Sequence, residues 1–140
     1  MQGLKNKKAI GDFGENLAEQ YLKRRFWHIL SRNYSAFGGE IDIIAYRFGV
    51  LAYVEVKTRS NDLYGKPSDA VNFEKVRKIK NASRDFQKNY RKGNKIPVFY
   101  FGIKQKRRIL KQRIDVIEVY LKPSGEVEKI NHIKDWENML

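Results

Sequence analysis

The chain has 140 residues and a formal net charge of +13, from 29 Lys and Arg against 16 Asp and Glu. This size predicts a single domain over residues 1–140. The absence of cysteine excludes a disulfide framework, a thiolate zinc site and a cysteine nucleophile. No apolar run reaches the roughly 18 residues of a membrane span, and the start Met1–Lys8 lacks the apolar segment of a signal peptide. We therefore expect a soluble, cytoplasmic protein with no membrane partner.

Three clusters hold much of the positive charge, which favours a polyanionic partner because each neutralised phosphate releases counterions. They are the run Lys104–Arg113, the residues Lys75, Arg77, Lys78 and Lys80 on a predicted helix, and Lys23–Arg25 at the end of an earlier helix. The alternative is a solvated surface that serves only solubility. Clustering favours nucleic acid over that alternative. An acidic membrane is less favoured, because the predicted helix lacks the aromatic face of an interfacial helix.

The first half of the chain predicts a helix followed by three strands. Asp12–Arg25 has apolar residues at helical spacing, with Asp12 as the expected N-cap and Glu15 completing a capping-box pattern. Trp27–Tyr34 is a predicted short strand. Glu40–Arg47 and Val50–Thr58 are rich in Ile, Val and Tyr and are separated by only two residues, which predicts a β-hairpin closed by Phe48 and Gly49.

The second half predicts a long helix and three more strands. The helix runs from about Ser68 to Arg91, and its expected buried side comprises Val71, Val76, Ile79, Ala82, Phe86 and Tyr90. The strands are Pro97–Lys104, Ile114–Leu121 and Glu126–Ile133, the last preceded by a turn and followed by a short helix. We interpret Gly14 and the pair Gly38–Gly39 as cap and turn glycines. The order predicts an α/β domain with a mixed central β-sheet flanked by α-helices.

Most catalytic arrangements are excluded by the residue types present. His28 and His132 are the only histidines, too few for a histidine metal cluster, and no serine elbow motif accompanies them. No phosphate-binding glycine loop follows a predicted strand. The chemistry therefore has to come from carboxylates and lysines.

The predicted hairpin brings two carboxylates together. With a loop at residues 48 and 49, paired residues have numbers that sum to 97, so Asp42 faces Glu55 with side chains about 5 Å apart. Like charges in that position are destabilising unless something offsets them. A divalent cation is an economical answer, since Mg²⁺ takes one or two carboxylates with water and substrate phosphate. Lys57 shares the face of Glu55, and the alternative is that Lys57 merely neutralises the pair.

A further acid is expected near this pair. Glu15 lies off the apolar stripe of the first predicted helix, on the side of Asp12 and Glu19. If that helix packs across the sheet, Glu15 reaches the same metal or its water shell. The alternative role for Glu15 is helix capping.

Four short motifs occur in order along the chain: Gly14–Ala18, Gly39–Asp42, Val54–Arg59 and Arg113–Val116. With them, the chain from about Ala9 to Val119 resembles the YraN-like family of small proteins. That family resembles archaeal Holliday-junction resolvases and the PD-(D/E)xK, or restriction-endonuclease-like, nucleases. The resemblance implies a restriction-endonuclease-like core with a metal-dependent phosphodiesterase site.

The resemblance also implies roles for individual residues. Asp42 and Glu55 would be metal ligands, with the main-chain carbonyl of Val56 as a third. Lys57 would orient or help to deprotonate the attacking water and stabilise charge on the phosphorane. Glu15 matches the helical acid of the resolvase-like branch. The cofactor would be Mg²⁺, with Mn²⁺ able to substitute.

The expected function is that of an endonuclease that hydrolyses phosphodiester bonds of DNA, with branched or recombination-type structures as candidate substrates. The residues expected to contact the nucleic-acid backbone are Arg59, Lys75, Arg77, Lys78, Arg107 and Arg108. Resolvases cut two symmetric points of a four-way junction, so a homodimer is implied. One alternative is a nucleic-acid-binding module that retains the acidic site without turnover. Another is an interaction protein whose charge meets an acidic protein partner.

Overall fold

The computed structural model describes residues 6–60 and 73–139. The elements in chain order are α1 (Lys7–Arg24), β1 (His28–Ala36), β2 (Gly39–Arg47), β3 (Val50–Arg59), α2 (Phe73–Tyr90), β4 (Lys95–Tyr100), β5 (Ile103–Arg108), β6 (Lys111–Leu121), β7 (Val127–Ile133) and a short 3₁₀ helix (Trp136–Met139). Neither described α-helix has an apolar stretch that could cross a membrane.

A five-stranded sheet forms the centre of the fold, in the order β1-β2-β3-β6-β7. β3 and β6 pair in parallel, whereas the other neighbours pair antiparallel. β4 and β5 form a separate two-stranded sheet. The predicted α/β class with a mixed central sheet and flanking helices is confirmed.

Each face of the sheet is covered by one helix. Ile43 packs in a core cluster that includes Ala18 and Leu22 of α1, whereas Ile44 packs in a cluster that includes Val76 and other residues of α2. Because both faces are covered, the central strands are almost continuously apolar rather than alternating with polar residues. On β3, the charged residues Glu55 and Arg59 are buried, whereas Glu40 at the start of β2 is exposed.

The predicted start of the first helix is wrong. The helix begins at Lys7, and Asn6 is its N-cap, with the side-chain oxygen of Asn6 accepting a hydrogen bond from the backbone N–H of Ala9 at 2.7 Å. Asp12 lies within the helix, exposed and paired with Lys8 at 3.1 Å. The helix continues through its glycines because α1 packs against the sheet.

The predicted strand Pro97–Lys104 is also wrong, because it is two strands. β4 and β5 are joined by a two-residue turn at Phe101 and Gly102, whose φ angles are 50° and 79°. The turn has the same Phe-Gly sequence as the β2–β3 turn at Phe48 and Gly49. Phenylalanine seldom occupies the left-handed region, so the dipeptide Phe-Gly is a weak signal for a turn in a sequence.

The remaining elements match their predictions within a few residues. The predicted start of the second helix near Ser68, and Val71, lie outside the described residues. Four predicted core residues of α2 are buried, namely Val76, Ile79, Ala82 and Phe86, whereas Tyr90 is half exposed. The turn before β7 is closed by a hydrogen bond from the N–H of Gly125 to the carbonyl of Lys122, at 2.8 Å.

Two glycines interpreted as cap and turn residues instead permit close packing. A Cβ at Gly14 would lie 1.8 Å from Oγ1 of Thr58 on β3, and one at Gly39 would lie 2.2 Å from the backbone oxygen of Lys78 on α2. Both glycines therefore allow a helix to approach the sheet beside Asp42.

Gly11 and Gly14 on the same helix provide a matched pair of substitutions. Gly11→Ala is expected to stabilise the protein by about 0.5–1 kcal/mol, because no atom of residues 6–60 or 73–139 lies within 4 Å of the added Cβ. Gly14→Ala is expected to destabilise by roughly 1–3 kcal/mol, because Thr58 must be displaced. Urea denaturation of the two variants tests the helix–sheet contact. Equal changes in the free energy of unfolding of Gly11→Ala and Gly14→Ala would contradict the close contact between Gly14 and Thr58.

Candidate active site

The hairpin that brings the two acids together has the predicted register. Ile43 pairs with Val54 and Arg47 pairs with Val50, so paired residue numbers sum to 97. The ladder ends at Ile43, so the predicted pairing of Asp42 with Glu55 across the hairpin is not formed, and Asp42 contacts β3 through its carboxylate instead. Its Oδ2 accepts a hydrogen bond from the backbone N–H of Val56 at 2.8 Å. Asp42 is thereby held against β3 where the two strands separate.

At Asp42, the residues of β2 stop alternating regularly between the two faces of the sheet. Ile41 packs in the α2-side cluster although Ile43 packs in the α1-side cluster. On β1, Asn33 lies at the corresponding place in the register, with φ of 52°. This irregularity was not predicted, and it leaves Asp42 accessible to charged groups from both faces of the sheet.

Glu55 is only 5% exposed and contacts two lysines. Its Oε1 lies 3.4 Å from Nζ of Lys57 on the same strand and 2.5 Å from Nζ of Lys75 on α2. Lys57 was predicted to share the face of Glu55, and this is confirmed. The approach of Lys75 was not predicted, because it depends on how α2 packs on the sheet.

The acids and lysines perturb one another. Burial, together with the charge of Glu55, raises the pKa of Asp42 to about 7. Burial also lowers the pKa of Lys57, and the positive charge of Lys75 acts in the same direction. For Lys75, burial acts to lower the pKa, but the charge and hydrogen bond of Glu55, together with Lys57 and Asp42, outweigh burial and raise it. Of these groups, Asp42 and Lys75 line one cleft, and perturbed groups in a cleft are typical of a functional site.

Glu15 belongs to the same acidic region. It lies in the middle of α1, so the capping alternative is wrong. Its Oε1 is 3.3 Å from Nη2 of Arg32 on β1. The Asn33 amide, oriented to satisfy its hydrogen bonds, donates to Glu15 at 2.8 Å and to Glu40 at 3.2 Å. Burial raises the pKa of Glu15 despite Arg32, and the negative charge of Glu15 contributes to the raised pKa of Asp42.

A cleft of about 360 Å³ opens beside the two acids. Its lining combines glycines, acids and lysines, namely Gly38, Gly39, Glu40, Asp42, Glu55, Glu74, Lys75, Lys78 and Ile79. Sequence reasoning missed the contribution of Arg32 and Asn33, since a single Arg or Asn in a strand is no signal. The glycine pair was a signal, but it was assigned only to a turn.

The donor set suits a hard divalent cation. Among the described residues, no three Asp, Glu or His side chains converge to hold a metal by themselves. Mg²⁺ needs only one or two carboxylates, because water and substrate phosphate complete its coordination. Asp42 and Glu55 supply that number, and the Lys75 ammonium already places positive charge on the Glu55 carboxylate. The residues therefore fit Mg²⁺ or Mn²⁺.

The residues predicted to contact nucleic acid fall in three places. Lys75 and Lys78 line the cleft, and Arg77 is exposed beside them and paired with Glu74. Arg107 and Arg108 are exposed on β5 and do not line the cleft.

Arg59 lies elsewhere and differs in character from these surface residues. It is only 8% exposed, and its Nε donates to Glu118 on β6 at 3.3 Å. Its Nη2 is buried without a hydrogen-bond partner among the described residues. In this conformation Arg59 stabilises the sheet rather than presenting its guanidinium at the surface.

A separate buried polar network contains the second histidine. Asp115, fully buried, accepts hydrogen bonds from Arg113 Nε at 2.9 Å and from the Asp135 N–H at 2.9 Å, and its Oδ2 lies 2.8 Å from His132 Nε2. Burial alone would raise the Asp115 pKa, but these partners outweigh it and lower the pKa. The network joins β6, β7 and the chain that follows, which is consistent with a structural role.

Comparison with known proteins assigns the family. The model of Uncharacterised protein family UPF0102 matches residues 14–119. A UPF0102 protein of Clostridium beijerinckii is 42% identical over 91% of this chain and 92% of its own length. One from Caldanaerobacter subterraneus subsp. tengcongensis is 39% identical, with 91% and 93% covered. The matched span contains Glu15, Asp42, Glu55 and Lys57, and the chain therefore belongs to the UPF0102 family.

Proposed function

We propose that the protein is a metal-dependent nuclease with a restriction-endonuclease-like core, which hydrolyses phosphodiester bonds of DNA. The observation that carries the proposal is that two carboxylates line one cleft and that Lys57, which is not among the residues lining it, contacts one of them. Asp42 and Glu55 lie close enough for the charge of Glu55 to raise the pKa of Asp42, and Lys57 contacts Glu55. This is the arrangement that the resemblance to restriction-endonuclease-like nucleases implies.

The role of each residue follows from its position. A bound Mg²⁺ would polarise the scissile phosphate and activate water as the nucleophile. Asp42 and Glu55 would hold the ion, with the carbonyl of Val56 as a third ligand. The N–H of Val56 fixes Oδ2 of Asp42, which keeps the carboxylate oriented toward the cleft. Lys57, with its lowered pKa, is suited to orient the attacking water and to stabilise charge on the phosphorane.

Lys75 and Glu15 have supporting roles in the proposal. The Lys75 ammonium contacts the Glu55 oxygen that a cation would bind, so it acts as a substitute positive charge and would move toward phosphate once the cation is held. Glu15 lies near enough to raise the pKa of Asp42 and would bind water around the ion. Lys78 at the rim of the cleft would contact the nucleic-acid backbone.

The assay that tests this proposal compares four substrates in Mg²⁺, in Mn²⁺ and in EDTA: a four-way junction, a flap, a linear DNA duplex and single-stranded RNA. We expect metal-dependent cutting of DNA by the wild type and none by Glu55→Ala or Lys57→Ala. Lys88→Ala, an exposed substitution on α2 outside the cleft, is the matched control and should cut normally. Cleavage that survives in Glu55→Ala would overturn the assignment of the site.

A nucleic-acid-binding module without turnover is the second candidate. The observation in its favour is that Lys57 and Lys75 already compensate Glu55 without a metal. It predicts salt-dependent binding that is insensitive to chelators. No cutting of any of the four substrates, with EDTA-insensitive binding, would favour this candidate.

A further inference from the structure

A second and larger groove lies away from the acidic cleft, between the first half of β1 and the β4–β5 hairpin. Its volume is about 980 Å³. Eight Phe, Trp and Tyr side chains among the described residues line it, namely Phe26, Trp27, Phe48, Phe86, Tyr90, Phe99, Tyr100 and Phe101. Phe48 is 81% exposed and Phe101 is fully exposed. A contiguous exposed apolar surface of this kind indicates a binding site.

Folding stability does not account for these aromatic residues. Phe26, Phe48 and Phe101 have φ angles of 68°, 46° and 50°, in the left-handed region where glycine or asparagine is less strained. An aromatic side chain there adds strain, and because it projects into solvent it gains little packing in return. Their presence at the rim of one groove is better explained by a bound partner.

The groove is apolar in its lining and positive at its rim. The guanidinium of Arg47 lies 4.6 Å from the ring centre of Trp27 and 5.9 Å from the ring centre of Phe48. The guanidinium of Arg107 lies 4.7 Å from the ring centre of Tyr100. Lys23 also lines the groove.

One acid, Glu19, lies among the groove residues. It pairs with Lys23 at 3.2 Å and with Arg32 at 3.2 Å. Its charge is therefore balanced, and the groove complements an anion that also offers flat apolar surfaces. A second copy of this chain, with its own charge of +13, would bring like charges together.

We propose that this groove binds single-stranded nucleic acid. Unpaired bases would stack on Phe48, Phe99 and Phe101, and phosphates would lie at Arg47 and Arg107. A duplex does not fit this chemistry, because its base faces are hidden inside the stack. The site is separate from the acidic cleft and contributes binding rather than hydrolysis.

The groove and the acidic region meet along β1. Ser31 lines the groove, Arg32 contacts both Glu19 and Glu15, and the Asn33 amide donates to Glu15. Two residues of a strand cover about 7 Å. A single strand that leaves the groove along β1 would therefore approach the acidic cleft. This deepens and rests on the proposed function, since it assigns to the nuclease a substrate with an unpaired segment.

Binding without cleavage tests the groove. The probes are a fluorescein-labelled oligothymidine of roughly 20 nucleotides, a duplex of the same length and an abasic oligomer with the same phosphates. Anisotropy in EDTA compares the wild type with Phe99→Ala/Phe101→Ala. We expect the double variant to lose about tenfold or more in affinity for oligothymidine and less than about twofold for the duplex. The wild type should bind the abasic oligomer as weakly as the double variant binds oligothymidine.

Two variants control for folding and for general hydrophobicity. Ile103→Ala removes an exposed apolar side chain from the same hairpin but outside the groove, and it should bind normally. Phe101→Asn relieves the left-handed strain, so its melting temperature should equal or exceed that of the wild type although its binding is weaker. Equal losses on duplex and single strand, or no loss at all, would overturn the proposal.

Two further outcomes separate this inference from the proposed nuclease. If sedimentation showed a dimer that Phe99→Ala/Phe101→Ala converts to a monomer, the groove would be an interface between copies, and the inference would fail. Metal-dependent cutting of duplex DNA without aromatic-dependent strand binding would also overturn it, while leaving the nuclease intact. Strand binding without cutting of any substrate would support the groove and count against the nuclease.

Discussion

Lys57→Met is expected to lower metal-dependent cleavage by about 10²–10³-fold while leaving the affinity for Mn²⁺ nearly unchanged. Nζ of Lys57 lies 3.4 Å from the Glu55 carboxylate, whereas Nζ of Lys75 lies 2.5 Å from it. Lys57 therefore competes less with a metal ion for this carboxylate than Lys75 does. Its proposed contribution is to the attacking water and the transition-state charge, so its loss should affect kcat more than metal binding. Single-turnover cleavage and Mn²⁺ titration measure the two effects separately.

Lys75→Met is the matched control for this experiment. It removes the ammonium closest to Glu55, so Mn²⁺ should bind more tightly, and cleavage should fall less than in Lys57→Met. The reverse order of effects would show that the two lysines have been assigned the wrong roles. A parallel fall in Mn²⁺ affinity and cleavage in Lys57→Met would indicate a structural rather than a catalytic contribution.

Asp42→Asn is expected to stabilise the metal-free protein at pH 8, by on the order of 2 kcal/mol. Burial and Glu55 raise the folded-state pKa of Asp42 to about 7, above the ordinary aspartate value of about 3.9. Ionising this carboxyl therefore costs more in the folded state than in the unfolded state. The whole difference between these two pKa values would correspond to roughly 4 kcal/mol, and solvent screening of the partly exposed carboxylate reduces this cost.

The raised pKa of Asp42 defines the pH range over which the stability of the protein changes. Below about pH 4 the carboxyl is protonated in both states and carries no penalty, whereas between about pH 4 and 7 stability falls as the pH rises. Asp42→Asn lacks this dependence and retains an oxygen to accept the N–H of Val56. Urea denaturation in EDTA at pH 5 and pH 8 measures the difference. A variant less stable than the wild type at pH 8 would contradict this account of the acid pair.

The acid pair could be predicted because it depends on local rules. A two-residue loop sets the register of a hairpin, and strand alternation then places Glu55 and Lys57 on one face. The register was confirmed at Ile43 and Val54. The burial of Glu55 could not be derived in the same way, because it requires knowing that a helix covers each face of the sheet.

Errors arose where the deciding contact was distant in sequence or unusual in residue type. The β4–β5 turn was missed because Phe101 occupies a conformation more typical of glycine or asparagine. Lys75 reaches Glu55 because α2 packs closely on the sheet, where Gly39 contacts the backbone of Lys78. The burial of Arg59 was also not predicted, because its carboxylate partner, Glu118, comes from a strand about 60 residues later in the chain. No local pattern contains these tertiary contacts.

The most direct measurement is a titration of Mn²⁺ into the wild type, Asp42→Asn and Glu55→Gln, with free Mn²⁺ followed by its electron paramagnetic resonance signal. Our account predicts a saturable site in the wild type that is lost in both variants, because both carboxylates are ligands. Lys88→Ala should bind as the wild type does. Equal Mn²⁺ binding by all the proteins would contradict the claim that Asp42 and Glu55 form a cation site.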